Sequence, residues 1–229
     1  MEHLILNDQT FTSKLSSRIE VSPEFGVSKI STEMRRLLVK WLLQVGRKFR
    51  VRDETIHICV QIIDYMLLFQ TEGISKNNFQ LLGVAALFVA SKYNEIHTFE
   101  ADKYVYLCDG LYSQKELLEM ESLILTTTCF SLQFPTLNQF TGLLLQHYSL
   151  ELEGSVADLI RLVMFDCMLL NRFKKQHVAS VIIYFAAKLN EESMLRSKDM
   201  MEELGVPEEV FRECFNLLLG LYRSREELK

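Results

Sequence analysis

The chain has 229 residues, a net charge of −5 and 48% hydrophobic residues, a composition typical of globular proteins rather than disordered ones. Its 3 prolines and 9 glycines are too few for a β-sandwich or a long flexible linker. The acidic balance argues against a dedicated binder of duplex DNA or of an anionic membrane, which needs a basic face. A local basic patch is still compatible with this balance.

The cysteines and the hydropathy pattern indicate a protein of a reducing compartment. The 5 cysteines are widely spaced, without a Cys-x-x-Cys pair or a Cys/His cluster, so we expect free thiols and no metal site. The amino terminus lacks a basic region followed by an apolar stretch of signal-peptide length. The longest strongly apolar run, residues 81–90, is about half of what a membrane helix needs. We therefore expect an intracellular protein that does not contact a membrane.

Helical periodicity begins after a polar, weakly patterned segment, residues 1–30. Apolar spacing and capping residues predict five helices in the first half of the chain, at residues 32–49, 53–70, 79–94, 101–108 and 113–127. The third of these is apolar nearly all round, which is typical of a helix at the centre of a bundle. Ser113 and Glu116 form a capping-box pattern at the start of the fifth.

A second series of helices follows Pro135. The pattern predicts helices at residues 136–149, 155–171, 176–190, 197–204 and 207–223. Pro207 suits the first position of the last helix, and Gly205 suits the end of the helix before it. No alternation typical of strands competes with this all-helical interpretation.

The two halves of the chain resemble each other. The sequence DYMLL at residues 64–68 recurs as DCMLL at 166–170, and FVASKYNE at 88–95 recurs as YFAAKLNE at 184–191. Two matches in the same order favour a duplicated five-helix unit, although chance similarity between helical segments is the alternative. We therefore predict an all-α fold in which two tandem units, 31–133 and 134–229, follow the amino-terminal segment.

Signs of catalysis are weak. The five histidines are scattered, and the sequence contains no H-E-x-x-H pair, no G-x-G-x-x-G and no Walker loop. We interpret the chain as a binding module without an active site or cofactor, and an enzyme with dispersed catalytic residues is the alternative.

Residues 34–42, MRRLLVKWL, resemble the M-R-x-x-L-x-x-W-L opening of a cyclin box. Further matches to the family follow in order at residues 54–55, 63–64, 80–83, 90–96, 120–121 and 135–140. The sequence is thus similar to the cyclin family, and in particular to mitotic A- and B-type members. Because residues 1–30 contain no R-x-x-L destruction motif, it resembles a minimal form, and a pathogen-type cyclin and a trimmed chain are the alternatives.

The resemblance implies a fold of two five-helix cyclin boxes and a function without chemistry of its own. It implies a regulatory subunit that binds and activates a cyclin-dependent protein kinase in cell-cycle control, in the nucleus and cytoplasm. A transcriptional cyclin is one alternative. A general transcription factor of the same fold that binds nucleic acid is another, and it needs basic helix faces that a net charge of −5 disfavours.

The resemblance also places a kinase-binding site. Lys92 and Glu121 match its central positions, where an ammonium can donate to backbone carbonyls of a kinase helix and a carboxylate can accept from amides. Other matching positions are Tyr93, Glu95, Ile96, Phe130 and Leu132. We expect Lys92 and Glu121 to be exposed, and ordinary solvated helix charges are the alternative. Phe130 and Leu132 fit a place in the core equally well.

A second site is implied on the first helix. Its apolar stripe resembles the shallow patch that docks R-x-L motifs of substrates and inhibitors. The residues of this implied patch are Met34, Leu37, Leu38, Trp41 and Gln44, with Phe79 and Gln80 as the other wall. A buried stripe is the alternative. Gln44 stands where A-type relatives have an acid, so attraction for a docking arginine should be weaker, and Phe79 replaces a common leucine.

Arg35 and Asp64 match a pair that is structural in the family. Arg35 lies on an otherwise apolar face of the first helix, and Asp64 lies on the next helix. Because a buried charge needs a partner, we interpret both as determinants of the fold and exclude them from the kinase contact.

Overall fold

The computed structural model describes residues 30–69, 73–192 and 195–225. The predicted amino-terminal segment, apart from residue 30, lies outside this part of the chain. The described residues belong to two compact units, one ending at Phe134 and one beginning at Pro135. The boundary of the two predicted boxes, between residues 133 and 134, differs from this division by one residue, and the assignment of the units as tandem boxes stays a prediction.

The first unit contains five helices among the described residues. They are α1 (Thr32–Phe49), α2 (Asp53–Phe69), α3 (Phe79–Asn94), α4 (Ala101–Tyr106) and α5 (Gln114–Thr127). The apolar helix α3 lies at the centre and packs against the other four. α1 approaches it closely, because a Cβ atom on Gly83 would lie 2.7 Å from Cδ1 of Leu38.

The second unit contains six helices in the described part. They are α6 (Leu137–Tyr148), α7 (Glu153–Met164), α8 (Cys167–Arg172), α9 (Lys175–Leu189), α10 (Ser197–Leu204) and α11 (Glu208–Arg223). α9 is the central helix and packs against the other five. The helices of both units confirm the predicted all-α fold class.

Local capping explains why several helices begin where the sequence predicted. The Ser31 hydroxyl accepts a hydrogen bond from the Met34 amide at the start of α1, with a length of 3.2 Å. Ser113 and Glu116 form the predicted capping box of α5. Gly205 ends α10 in the left-handed conformation, with a φ of 61°, as expected for a residue without a Cβ atom.

Three predictions about helix boundaries are wrong. The helix predicted at 155–171 is two helices, because the Asp166 carboxylate accepts from the Leu169 amide at 3.0 Å and starts α8. α4 ends at Tyr106 rather than at residue 108, where a turn leads to Asp109 with a φ of 49°. Pro207 precedes α11 as its N-cap in an extended conformation instead of occupying the first helical position.

All five cysteines are free thiols. Burial raises the pKa of Cys108 to about 11 and that of Cys214 to about 12, so both stay protonated at neutral pH and fill core volume. Within the described ranges, no helix combines the length and hydropathy of a membrane span. The same residues contain no group of three His, Cys, Asp or Glu side chains placed to hold a metal ion.

Candidate functional site

An ion pair links the carboxyl end of α3 to the middle of α5. The Lys92 ammonium donates a hydrogen bond to the Glu121 carboxylate. The Lys92 side chain is 39% exposed, whereas that of Glu121 is 12% exposed. The expectation that both residues are exposed is therefore wrong for Glu121, which faces Lys92 from a largely covered position on the neighbouring helix.

An aromatic ring holds the lysine in place. The Lys92 ammonium lies 4.0 Å from the centroid of the Phe88 ring, one turn earlier on α3. A cation over an aromatic face is attracted by the negative face of the ring. Phe88 and Glu121 together orient the ammonium, which leaves it partly exposed and able to donate to a further acceptor.

Exposed apolar side chains lie at or just beyond the carboxyl ends of α3 and α5. Tyr93 lies directly after Lys92 and is 49% exposed, and Ile96, beyond the end of α3, is 88% exposed. Phe130, three residues beyond the end of α5, is 73% exposed. A charged pair flanked by exposed large apolar groups is typical of a protein interaction surface.

The turn after α5 presents Phe130 to solvent. Cys129 and Phe130 both have left-handed conformations, with φ values of 51° and 57°. Such values are uncommon for residues with a Cβ atom. The Phe130 amide donates to the Leu125 carbonyl at 2.8 Å, which holds the turn closed. Strain of this kind persists where the surrounding structure enforces it and is often found at functional sites.

Two other predicted kinase-binding residues have partners inside the first unit. The Glu95 carboxylate accepts from the Arg52 amide at 2.8 Å and from the Thr55 hydroxyl, near the start of α2. Burial acts to raise the pKa of Glu95, but the hydrogen bonds from Thr55 and Arg52 outweigh it and hold the pKa below its usual range. The sequence left open whether Leu132 lies on the kinase-binding surface or in the core. Leu132 is buried in the structure, so it lies in the core.

Arg35 and Asp64 form a buried bidentate ion pair between α1 and α2. Nε of Arg35 donates to Oδ1 of Asp64 at 2.5 Å, and Nη2 donates to Oδ2 at 2.8 Å. Both side chains are almost fully buried. The pair is remote from solvent and available to hold the two helices together, and it cannot touch a partner protein directly.

The implied docking patch is only partly accessible. Leu37 and Gln44 are exposed, and Met34, Trp41 and Gln80 are half-buried. Leu38 and Phe79 lie in the core. Leu38 faces Gly83 of α3, and Phe79 is the first residue of α3. These two residues are buried and therefore do not line an exposed patch. We call the partly exposed row of Met34, Leu37 and Trp41 the apolar row of α1.

Sequence reasoning missed a basic cluster next to this row. Arg47, Lys48 and Arg50 are exposed at the end of α1, and Arg52 follows with its guanidinium bound to Glu95. The net charge of the whole chain is −5, so it gives no sign of this local cluster. A count of charges along the sequence reveals it, because four basic residues fall within residues 47–52 without an acidic one.

Comparison with known proteins identifies relatives for the first half of the chain. Residues 4–133 match the family model described as "Cyclin, N-terminal domain". Cyclin-A2 of Gallus gallus is 38% identical over 126 residues, which cover 53% of this chain and 31% of the relative. Cyclin-A1 of Homo sapiens is 41% identical over 111 residues, 48% of this chain and 23% of the relative. The matches thus span less than a third of the length of these relatives.

Solved structures resemble the chain over nearly its whole length. A viral cyclin from herpesvirus saimiri superposes with a TM-score of 0.78 and 16% identity, covering 96% of this chain and 95% of that one. A chain of the yeast RNA Pol II CTD kinase CTDK-1 complex superposes with a TM-score of 0.67 and 13% identity, covering 100% of this chain and 74% of that one. At these identities the likeness concerns the fold alone.

Proposed function

Because this chain belongs to the cyclin family, we propose that it is a regulatory subunit that binds and activates a cyclin-dependent protein kinase during the cell cycle. The single observation that carries this proposal is the Lys92–Glu121 pair, flanked by the exposed side chains of Tyr93, Ile96 and Phe130. The proposal includes action in both nucleus and cytoplasm.

The mechanism follows from what a protein kinase requires. A kinase is active when a lysine of its third strand pairs with a glutamate of its C helix. A partner that binds this helix and presses it inward stabilises that pair. The Lys92 ammonium can donate to carbonyls at the end of such a helix, while the exposed apolar residues supply contact area. No catalytic group of this chain takes part.

A second part of the proposed function is recruitment of substrates and inhibitors. The apolar row of α1 can accept the apolar residue of a docking segment of the R-x-L type. The row lies on α1, whereas the kinase-contact residues lie on and after α3 and α5. Recruitment and activation therefore use different surfaces of the first unit and can be separated by mutation.

A charge-swapped variant tests activation. Lys92→Glu with Glu121→Lys keeps an ion pair between α3 and α5 within the free protein, but it presents a carboxylate where the kinase needs a donor. We expect unchanged thermal unfolding and loss of both kinase pull-down and activation. A matched control swaps Lys115 and Glu119, an exposed pair on α5 with a separation of 3.7 Å. Full activation by the first swap at native stability would falsify the proposed site.

A further inference from the structure

The basic residues of the chain are concentrated on α1 and in the turn that follows it. Residues 31–52 contain seven of the 25 basic residues and only one of the 30 acidic residues. This segment therefore has the opposite sign to the whole chain, whose net charge is −5. Arg35 is neutralised by Asp64 in the core, which leaves six basic residues nearer the surface.

Helical geometry places these charges beside the apolar row. At 100° per residue, Arg36, Lys40 and Arg47 form a second line on the side of α1 that faces away from the core, and we call it the basic row. The core side carries the buried residues of α1, which are Arg35, Leu38, Val39, Leu42, Val45 and Gly46. Lys48 follows Trp41 by seven residues, two helical turns, so it extends the apolar row with a positive charge.

Acidic neighbours neutralise only part of this surface. Glu33 lies 3.6 Å from the Arg36 guanidinium, and Glu95 binds Arg52. Among the described residues, no carboxylate pairs with Arg47, Lys48 or Arg50. The negative end of the helix dipole favours cations in the last turn, which accounts for Arg47 and Lys48, whereas Arg50 lies beyond that turn as the C-cap of the helix.

We propose that the α1 surface docks protein segments in which one or two apolar anchors are flanked by acidic or phosphorylated residues. This inference rests on the proposed function and narrows it, because the surface keeps the apolar anchor of an R-x-L segment but favours acidic residues over arginine beside that anchor. The apolar row binds the anchors, and Arg47, Lys48 and Arg50 at the carboxyl end of α1 bind the acidic flank. Gln44 lies in the same surface and offers no carboxylate to an arginine, which meets the positive charges at the carboxyl end of α1 instead.

A peptide fits this surface better than a nucleic acid or a membrane. An 18-residue helix is about 27 Å long, which matches about eight residues of extended chain. The apolar row gives no partner to a phosphate backbone. The rest of the chain is strongly acidic and repels a long polyanion, whereas a short acidic segment is attracted by the local field alone.

Fluorescence anisotropy with three synthetic peptides tests the inference. Each peptide has the same Leu-Gln-Phe core, flanked by four Glu, four Gln or four Arg residues. We expect the Glu peptide to bind at least fivefold more tightly than the Gln peptide in low salt, and the Arg peptide to bind more weakly than both. The advantage of the Glu peptide should shrink as salt is added, because exposed charges are screened. Equal affinities for the three peptides would overturn the inference.

Variants locate the effect on the protein. Arg47→Gln with Lys48→Gln and Arg50→Gln should weaken the Glu peptide about tenfold, since one exposed pair changes affinity by about 1.5- to 5-fold. The matched control removes the same charge elsewhere in the first unit through Lys76→Gln, Lys103→Gln and Lys115→Gln. We expect it to bind like the unmodified protein, and an equal loss in the control would show that only net charge matters.

Two further measurements complete the test. Tighter binding of a single-stranded oligodeoxythymidylate or of phosphatidylserine vesicles than of the Glu peptide would contradict a peptide surface. Kinase activation by the unmodified chain is assayed on a short substrate without a docking segment. Activation combined with no preference among the peptides refutes the docking inference alone, whereas the expected preference without activation refutes the proposed function alone.

Discussion

The end of α3 in the first unit and the end of α9 in the second share a sequence pattern but make different contacts. Lys92 lies over Phe88 and binds Glu121. Lys188 lies 5.4 Å from the centroid of the Tyr184 ring in the same way, but its neighbouring helix, α11, has no glutamate at the corresponding position.

The buried residues of α5 and α11 identify that position. Leu117, Met120 and Ile124 of α5 have the spacing of Phe211, Cys214 and Leu218 of α11, so Glu121 corresponds to Phe215. The Phe215 ring lies 5.9 Å from that of Tyr184 and 5.4 Å from that of Phe185. One position on the neighbouring helix thus decides whether a helix end with this shared sequence pattern carries an ion pair or an aromatic cluster.

A second pair of corresponding residues differs in the same way. Asp64 binds Arg35 between two helices, and α2 continues through it. Asp166, its counterpart in the repeat, accepts from the backbone amide of Leu169 and separates α7 from α8. The first aspartate links two helices, and the second accepts the amide hydrogen bond at the start of a helix.

The largest expected effect on stability comes from removing the contact between Asp64 and Arg35. Asp64→Ala leaves the Arg35 guanidinium buried without its carboxylate, which should cost about 3–5 kcal/mol of unfolding free energy. Asp166→Ala removes a helix cap and should cost about 0.5–2 kcal/mol. Urea unfolding followed by circular dichroism compares the two. A native melting temperature for Asp64→Ala combined with weak kinase affinity would instead place Asp64 in the interface.

The next effect concerns the two lysines. Lys92→Glu should weaken kinase binding about 30-fold or more, since the loss of a central contact costs about 2 kcal/mol. Lys188→Glu, in the unit without the ion pair, should change it by less than twofold. A titrated pull-down with the purified kinase measures both. Equal losses would mean that the second unit also contributes a kinase contact.

A third prediction separates recruitment from activation within the first unit. Met34→Ala with Trp41→Ala removes two members of the apolar row, and an aromatic anchor contributes about 2 kcal/mol to such an interface. Phosphorylation of a substrate with a docking segment should fall about tenfold relative to that of a short substrate without one. The KM values of the two substrates and a melting curve are required. A collapsed melting temperature would show that the row is part of the core.

The smallest expected effect is the pH dependence of Glu95. The pKa of Glu95 in the folded protein lies below its usual range, so its ionised form adds stability above about pH 4.3, and this stability is lost as the pH falls through the folded pKa. The difference in unfolding free energy between the protein and Glu95→Gln should be largest at pH 7 and should shrink below pH 4.

Glu191 of the repeat is the matched control for Glu95. Its carboxylate has no hydrogen-bond partner among the described residues, so Glu191→Gln should change the unfolding free energy by less than about 0.5 kcal/mol at any pH. Urea unfolding at several pH values tests both variants. A constant difference for Glu95→Gln between pH 3 and pH 7 would contradict the role of its charge.

The sequence alone determined the parts of this protein that depend on local interactions. Apolar spacing and caps predicted α1, α3 and α10 with the bounds that the structure shows, because a helix is specified by its own side chains and by the residues at its ends. The ordered motifs of residues 34–140 identified the cyclin family, which the comparisons confirm.

Only the tertiary structure decided how identical local patterns are used. The apolar stripe on α1 contains both Leu37 and Leu38, and the sequence does not show which of them is covered. Packing of the helix in the first unit buries Leu38 and leaves Leu37 exposed. Phe130 and Leu132 have similar chemistry and lie two residues apart, yet one faces solvent and the other faces the core. Asp64 and Asp166 lie in the same short motif, yet Asp64 binds Arg35 of another helix, whereas Asp166 accepts from a backbone amide three residues away.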